Sequence, residues 1–154
     1  MKKALALTLA LILTLTLAAC GKTVYRDAAG NKVERQGDTV TVKTEDGNAT
    51  IKTGGGQSWP KDKMGDLPEL KGNILGVVDT PQGTSVNFTE VSKADFDAYI
   101  VKVKAQGFEA VQEMEMEGMS MFMGQKDEAT VSVQFHPDKG KNTGSCIIIY
   151  GASL

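Results

Sequence analysis

The residues best placed to do chemistry are methionines. The chain holds seven, and five of them fall between Met114 and Met123 in the run EMEMEGMSMFMG. Thioethers are soft ligands that select Cu(I). A two-residue turn at Glu117-Gly118 sets Met116 opposite Met119, Met114 opposite Met121 and Gln112 opposite Met123. It also sets Glu115 opposite Ser120 and Glu113 opposite Phe122. All five sulfurs then share one side of the hairpin. Cross-strand Cβ atoms are ~4.5–5.5 Å apart and i,i+2 neighbours ~6.5–7 Å, so flexible thioethers at that spacing can converge on one ion. The candidate metal ligands are Met114, Met116, Met119, Met121 and Met123. The metal is Cu(I) or Ag(I), and His136 can add a nitrogen.

Two other readings compete. Methionine is also a gap-filler in cores, and the other side of the hairpin carries Glu113, Glu115 and Ser120, which favour water. The simplest arrangement is therefore a methionine-lined core face under a helix. An exposed soft face for a peptide or lipid is the third reading. Val111 and Phe122 lie on the glutamate side, so a further element such as an N-terminal ribbon is expected to cover it.

The second reactive residue is Cys20. The start MKK is cationic, Ala4 to Leu17 is an uncharged apolar run, and small residues precede the cysteine. This is the layout of a secretory signal, and the run is short of the ~20 residues a helical membrane span needs. Leu17-Ala18-Ala19-Cys20 resembles the lipobox of bacterial lipoproteins. That resemblance implies cleavage before Cys20, a diacylglycerol on its thiol and an extracytoplasmic chain held to the cell membrane by lipid. Acyl chains contribute ~0.8 kcal/mol per buried CH₂, and two make a lasting anchor. Lipid on Cys20 leaves Cys146 as a single free thiol with no disulfide partner. Cys146 opens the apolar run CIIIY and reads as a buried structural residue.

Other chemistry is poorly supported. Losing Lys2 and Lys3 with the signal moves the formal net charge from −2 to −4. No basic block interleaved with aromatics is present, so nucleic acid is not an expected partner. Ser58-Trp59-Pro60-Lys61 and Lys52-Thr53-Gly54 match two marks of penicillin-recognising enzymes, but in the wrong order and in a Gly- and Pro-broken stretch that no helix turn can hold. The single histidine, His136, sits beside Pro137 at a strand end and reads as solvent-facing. Paired carboxylates for hydrolysis have no motif behind them. The chain reads as a non-enzyme, with a hydrolase as the remotest alternative and no cofactor beyond Cu(I).

The elements that must position these residues are legible in outline. Residues 1–19 form the signal, 20–53 the lipidated Cys and a polar β-hairpin ribbon, 54–72 a linker or loop, and 73–154 the main domain. In the ribbon, Asp46-Gly47 is a hairpin turn that sets Val42 opposite Ile51 and Val40 opposite Thr53, and TVYRDAAGNKVER (23–35) forms a looser hairpin before it. In the main domain, NILGVVDT and TSVNFTEV flank the turn PQG. The helix is SKADFDAYIVKVKAQGF: Ser92 caps it with Asp95 three residues on, Phe96, Tyr99, Ile100 and Val103 form one stripe, and Gly107 ends it. Strands follow through EAVQEMEM, MSMFMGQ, ATVSVQFH and SCIIIYGA. Val131, Val133 and Phe135 alternate with polar residues, while CIIIY suits a central strand covered on both sides. The expected fold is α+β, an antiparallel sheet of about five strands with one packed helix (β-β-α-β-β-β), preceded by the ribbon.

The order Trp59-Pro60, Leu67-Pro68, Gly72, Ser92, Phe96, Tyr99, Gly107-Phe108 resembles a group of small lipoproteins, mostly of Gram-positive bacteria, that share a domain of unknown function. The likeness covers roughly residues 57–150 and lends no activity. Together with the lipobox it implies a binding or envelope-accessory role, the membrane as partner through Cys20, and a protein or peptide partner in the envelope.

Overall fold

Each turn signal closes a hairpin, and the hairpins join edge to edge. The structure, a computed structural model, describes residues 22–28, 30–44 and 47–152. The expected signal, the lipobox-like residues and Cys20 lie outside them. Ten strands are present: β1 (Thr23–Arg26), β2 (Lys32–Gln36), β3 (Thr39–Thr44), β4 (Gly47–Thr53), β5 (Asn73–Thr80), β6 (Gly83–Ser92), β7 (Glu109–Met116), β8 (Met119–Lys126), β9 (Ala129–Pro137) and β10 (Thr143–Ala152). All belong to one antiparallel sheet in the order β1-β2-β3-β4-β5-β6-β10-β9-β8-β7. The fold is α+β as expected, but with ten strands in the sheet rather than about five. The ribbon supplies four of them, since β4 pairs with β5 from Thr50↔Asp79 to Thr53↔Gly76.

The ribbon's register also differs from expectation. β3 and β4 close at Thr44↔Gly47, which places Val42 opposite Ala49 and Val40 opposite Ile51. The pairing is displaced by two residues, and a two-residue shift leaves every side chain on its expected face.

One helix, α1 (Lys93–Ala105), crosses the sheet. Its N-cap is Ser92, whose Oγ accepts from the Asp95 N–H at 3.0 Å. Its buried stripe is Phe96, Tyr99, Ile100 and Val103, and it ends at Gly107, whose φ of +94° suits glycine. The stripe packs on β6, β9 and β10, with the Phe96 and Phe135 ring centroids 5.5 Å apart. Beside α1, the segment 54–72 crosses the same face. Apart from a 3₁₀ turn at Lys61–Lys63 it is irregular, yet Met64, Leu67 and Leu70 are buried in the core and Trp59 packs against it. Beneath both lie Val86, Phe88, Phe122, Val131, Val133, Cys146 and Ile148. Full burial of such side chains contributes roughly 1.5–3 kcal/mol each.

Among the described residues, no helix or crossing segment covers the other face of the sheet, although Val33 of β2 is buried there. In β10, Cys146 and Ile148 are buried while Ile149 is 44% exposed. CIIIY is therefore central but covered on one side only, because α1 and the 54–72 segment both lie on the Cys146 side.

Candidate functional site

The hairpin β7–β8 has the register its turn demands. Met116 pairs with Met119, Met114 with Met121, Gln112 with Met123, Glu113 with Phe122 and Glu115 with Ser120. Directly paired residues share a face, so the five methionines stand together. They stand on the open face, not under the helix, which corrects the expectation of a methionine-lined core. Phe122 decides the matter. It is 1% exposed and pairs with Val133 of the core face. Its partner Glu113 lies on the same side at the sheet edge, half exposed, and meets the Lys104 ammonium at 2.6 Å. Glu115 meets Lys93 at 3.3 Å. Helix lysines thus pair with the exposed glutamates, and the Lys104 ammonium also stands 5.4 Å from the Phe122 ring centroid.

On the open face Met116 is 52% exposed, and Met114, Met119, Met121 and Met123 are partly buried. Next to them run Ser132 and Gln134 of β9, opposite Met123 and Met121. Ser120 pairs with Phe135, so the next step of the ladder brings His136 beside Met119. His136 is partly buried, and across β10 it faces Ser145. All six soft or nitrogen donors singled out in the sequence thus share one face of β7–β9, spread along the strands from Met119 and His136 to Met123. Met116 and Met119 also border a cleft of about 590 Å³ between the hairpin tip and the start of α1, with Lys93, Phe135 and Lys141 among its walls.

Cys146 is elsewhere, fully buried as a free thiol under α1. Burial pushes it up to about 12, so it has no thiolate for metal or nucleophilic work near neutral pH. Tyr99 lies close to it with a hydroxyl that finds no partner among the described residues, and burial raises its pKa above the ordinary phenol value.

A second cleft, of about 630 Å³, opens at the β5–β6 and β8–β9 turns, with Asp62, Asp66, Asp79, Asp127 and Glu128 on its walls. Sequence reasoning did not assemble this cluster, because its members come from segments far apart in the chain. Asp79 accepts from Thr84 Oγ1 at 2.6 Å and meets Lys63 at 3.0 Å. The Thr84 hydroxyl, then Lys63, hold its carboxyl below the usual range. That is opposite to the raised pKa a carboxyl general acid needs. Among the described residues, no group of three or more His, Cys, Asp or Glu side chains is arranged to hold a metal ion.

The landmark residues of the lipoprotein resemblance are structural here. Trp59 packs tilted against Phe88 with ring centroids 6.1 Å apart, Leu67 is buried, Ser92 and Gly107 bound α1, and Phe108 meets Tyr150 edge-on at 6.4 Å. No family model, curated protein or solved structure matches the chain.

Proposed function

We propose that this chain is a lipid-anchored extracytoplasmic binding protein with a non-catalytic role in the envelope, and that its working surface is the open side of the β7–β8 hairpin. The lipobox supports the anchor. The observation that carries the binding surface is the placement of all five clustered methionines on the uncovered face, where core packing does not require them. A peptide or other envelope partner with apolar side chains suits such a surface.

A second reading has a specific observation behind it. Met114, Met116, Met119, Met121 and Met123 share one face in direct pairs, with His136 beside them. Soft thioethers with one imidazole suit Cu(I) or Ag(I). The test is a Cu(I) titration against a competing chelator, on the chain from Gly21 and on a variant carrying Met114→Leu, Met116→Leu, Met119→Leu and Met121→Leu. Leucine is close to methionine in volume, so the variant keeps its fold. Tight stoichiometric binding that the variant loses, and that His136→Ala weakens, establishes a metal-handling lipoprotein. No binding by the parent leaves the face to an apolar partner.

A further inference from the structure

The ribbon β1–β4 sorts its charge by face. Of its six cations, Lys22, Arg26, Lys32, Arg35, Lys43 and Lys52, five stand on the same side as α1. Register places Arg26 opposite Lys32 and Lys32 opposite Lys43, with Thr39 of the same side opposite Lys52. Lys22 joins them through its ion pair to Glu34. Only Arg35 lies on the other side, among Thr23, Val40 and Ile51.

Among the described residues, Glu34 is the one carboxylate on this face of β1–β4. Lys22 meets it at 2.9 Å, Lys32 at 2.7 Å and Lys43 at 3.5 Å. Hydrogen bonds from Lys32, then Lys22, hold Glu34 down at about 2. One negative charge thus gathers three lysines and leaves the face cationic by four. The lysines stay accessible, with 55%, 43% and 45% of the Lys22, Lys32 and Lys43 side chains exposed. Nothing described covers them. The helix packs on β6, β9 and β10. The 54–72 crossing reaches Phe88, Asp79 and Lys126, away from β1–β3.

The start of the chain says what this face meets. Lys22 is two residues from Cys20, and an extended chain spans at most ~3.6 Å per residue. Lys22 is therefore held within about 7 Å of the lipidated position, inside the ~8 Å screening length of physiological salt. We propose that the cationic face of β1–β4 lies against the anionic phospholipid headgroups of the membrane that holds Cys20. Its location rests on the lipid-anchor reading, and its chemistry does not. The two acyl chains of the expected diacylglycerol already make a lasting anchor, so the basic face sets how the domain lies on the membrane rather than whether it stays there. Each Lys or Arg near such a surface strengthens binding about fivefold.

The test uses the chain from Gly21, which keeps every described contact and carries no lipid. It is sedimented with vesicles of phosphatidylcholine alone and with vesicles rich in phosphatidylglycerol. Binding is expected only to the anionic vesicles, and salt should weaken it. Joint Lys22→Gln, Lys32→Gln and Lys43→Gln substitution should weaken it on the order of 100-fold. Glu34→Gln removes the one negative charge and should tighten it about fivefold, an opposite sign that a folding defect cannot imitate. Melting curves confirm that both variants remain folded. Equal binding to neutral vesicles, no binding to anionic ones, or indifference to the lysine substitutions overturns the proposal. Mass spectrometry of Cys20 in the full chain, made in a bacterial host, tests the anchor separately. A missing adduct sinks the anchor and leaves the vesicle result to decide the cationic face alone.

Discussion

Phe122→Ala and Met121→Lys, one residue apart on β8, test which side of that strand is buried. Phe122 is 1% exposed, set between Glu113 and Val133 in the ladder and under Lys104 of α1. Truncating such a phenylalanine costs roughly 3–5 kcal/mol, a third or more of the total stability of many domains. At roughly 2–4 °C per kcal/mol for a chain of this size, the melting temperature should fall by about 6–20 °C. Met121 pairs with Met114 and Gln134 on the open face. A lysine there can run its stem where the thioether ran and carry its ammonium into water. It gives up part of the 1.5–3 kcal/mol that full burial of methionine is worth, or about 1 kcal/mol. Urea unfolding reads both values, and equal m-values certify that only stability has changed. A Met121→Lys cost equal to or above that of Phe122→Ala refutes the reasoning. The methionines would then be core, and the proposed metal face would fall with them.

Two further outcomes check the core and the ladder. The Cys146 thiol should ignore an aromatic disulfide reagent in the native protein and react at once in denaturant. Because burial raises it from 9.0 to about 12, the folded state holds its proton longer than the unfolded chain. Its contribution is complete below pH 9 and is lost as pH rises towards 12, so Cys146→Ala should flatten the alkaline limb of the stability curve. At Gly144 an added Cβ would stand 2.2 Å from the His136 carbonyl oxygen. Gly144→Ala should therefore cost about 1–3 kcal/mol by overpacking, while Gly55→Ala, with nothing within 4 Å, should leave the unfolding midpoint in place.

What was legible in the sequence is what short-range rules control. The hairpin at Glu117-Gly118, the Ser92 cap, the helix stripe and the Gly107 stop each depend on residues within a few positions of one another. The ribbon's faces were readable as well, since alternation survives a two-residue slip even though the turn did not fix the register. The segments that become strands were readable, but their union in one ten-stranded sheet was not, because joining β4 to β5 is a choice made across nineteen intervening residues. Those residues did carry a signal: Met64, Leu67 and Leu70 recur every third position, as a segment pinned to a core does. Pro60, Pro68 and the glycines around them suggested a linker instead. The side taken by the methionines was misjudged for a different reason. Glu113 and Glu115 are exposed, as a wet face requires, but β7 is an edge strand beside α1, so they reach water at the rim and meet Lys104 and Lys93 while Phe122 on the same side is buried beneath the helix. Only the three-dimensional neighbour shows that Phe122, not the methionines, belongs inside.

The strand order also sets the two proposed surfaces apart. β1 and β7 are opposite edges of the sheet, and nine steps of roughly 4.8 Å between strands separate them by at most about 43 Å. The lysines of the proposed membrane face belong to one edge and the methionine hairpin to the other, so headgroup contact at β1, as proposed, would leave the thioethers clear of the bilayer. The edges themselves are unsuited to recruiting a partner strand. β1 is four residues long, and β7 carries Glu109, Glu113 and Glu115 along its exposed length, charges of the kind that keep open edges from pairing. A partner of the proposed kind would therefore dock on a face, and the face that offers soft, movable side chains is the one bearing Met114, Met116, Met119, Met121 and Met123.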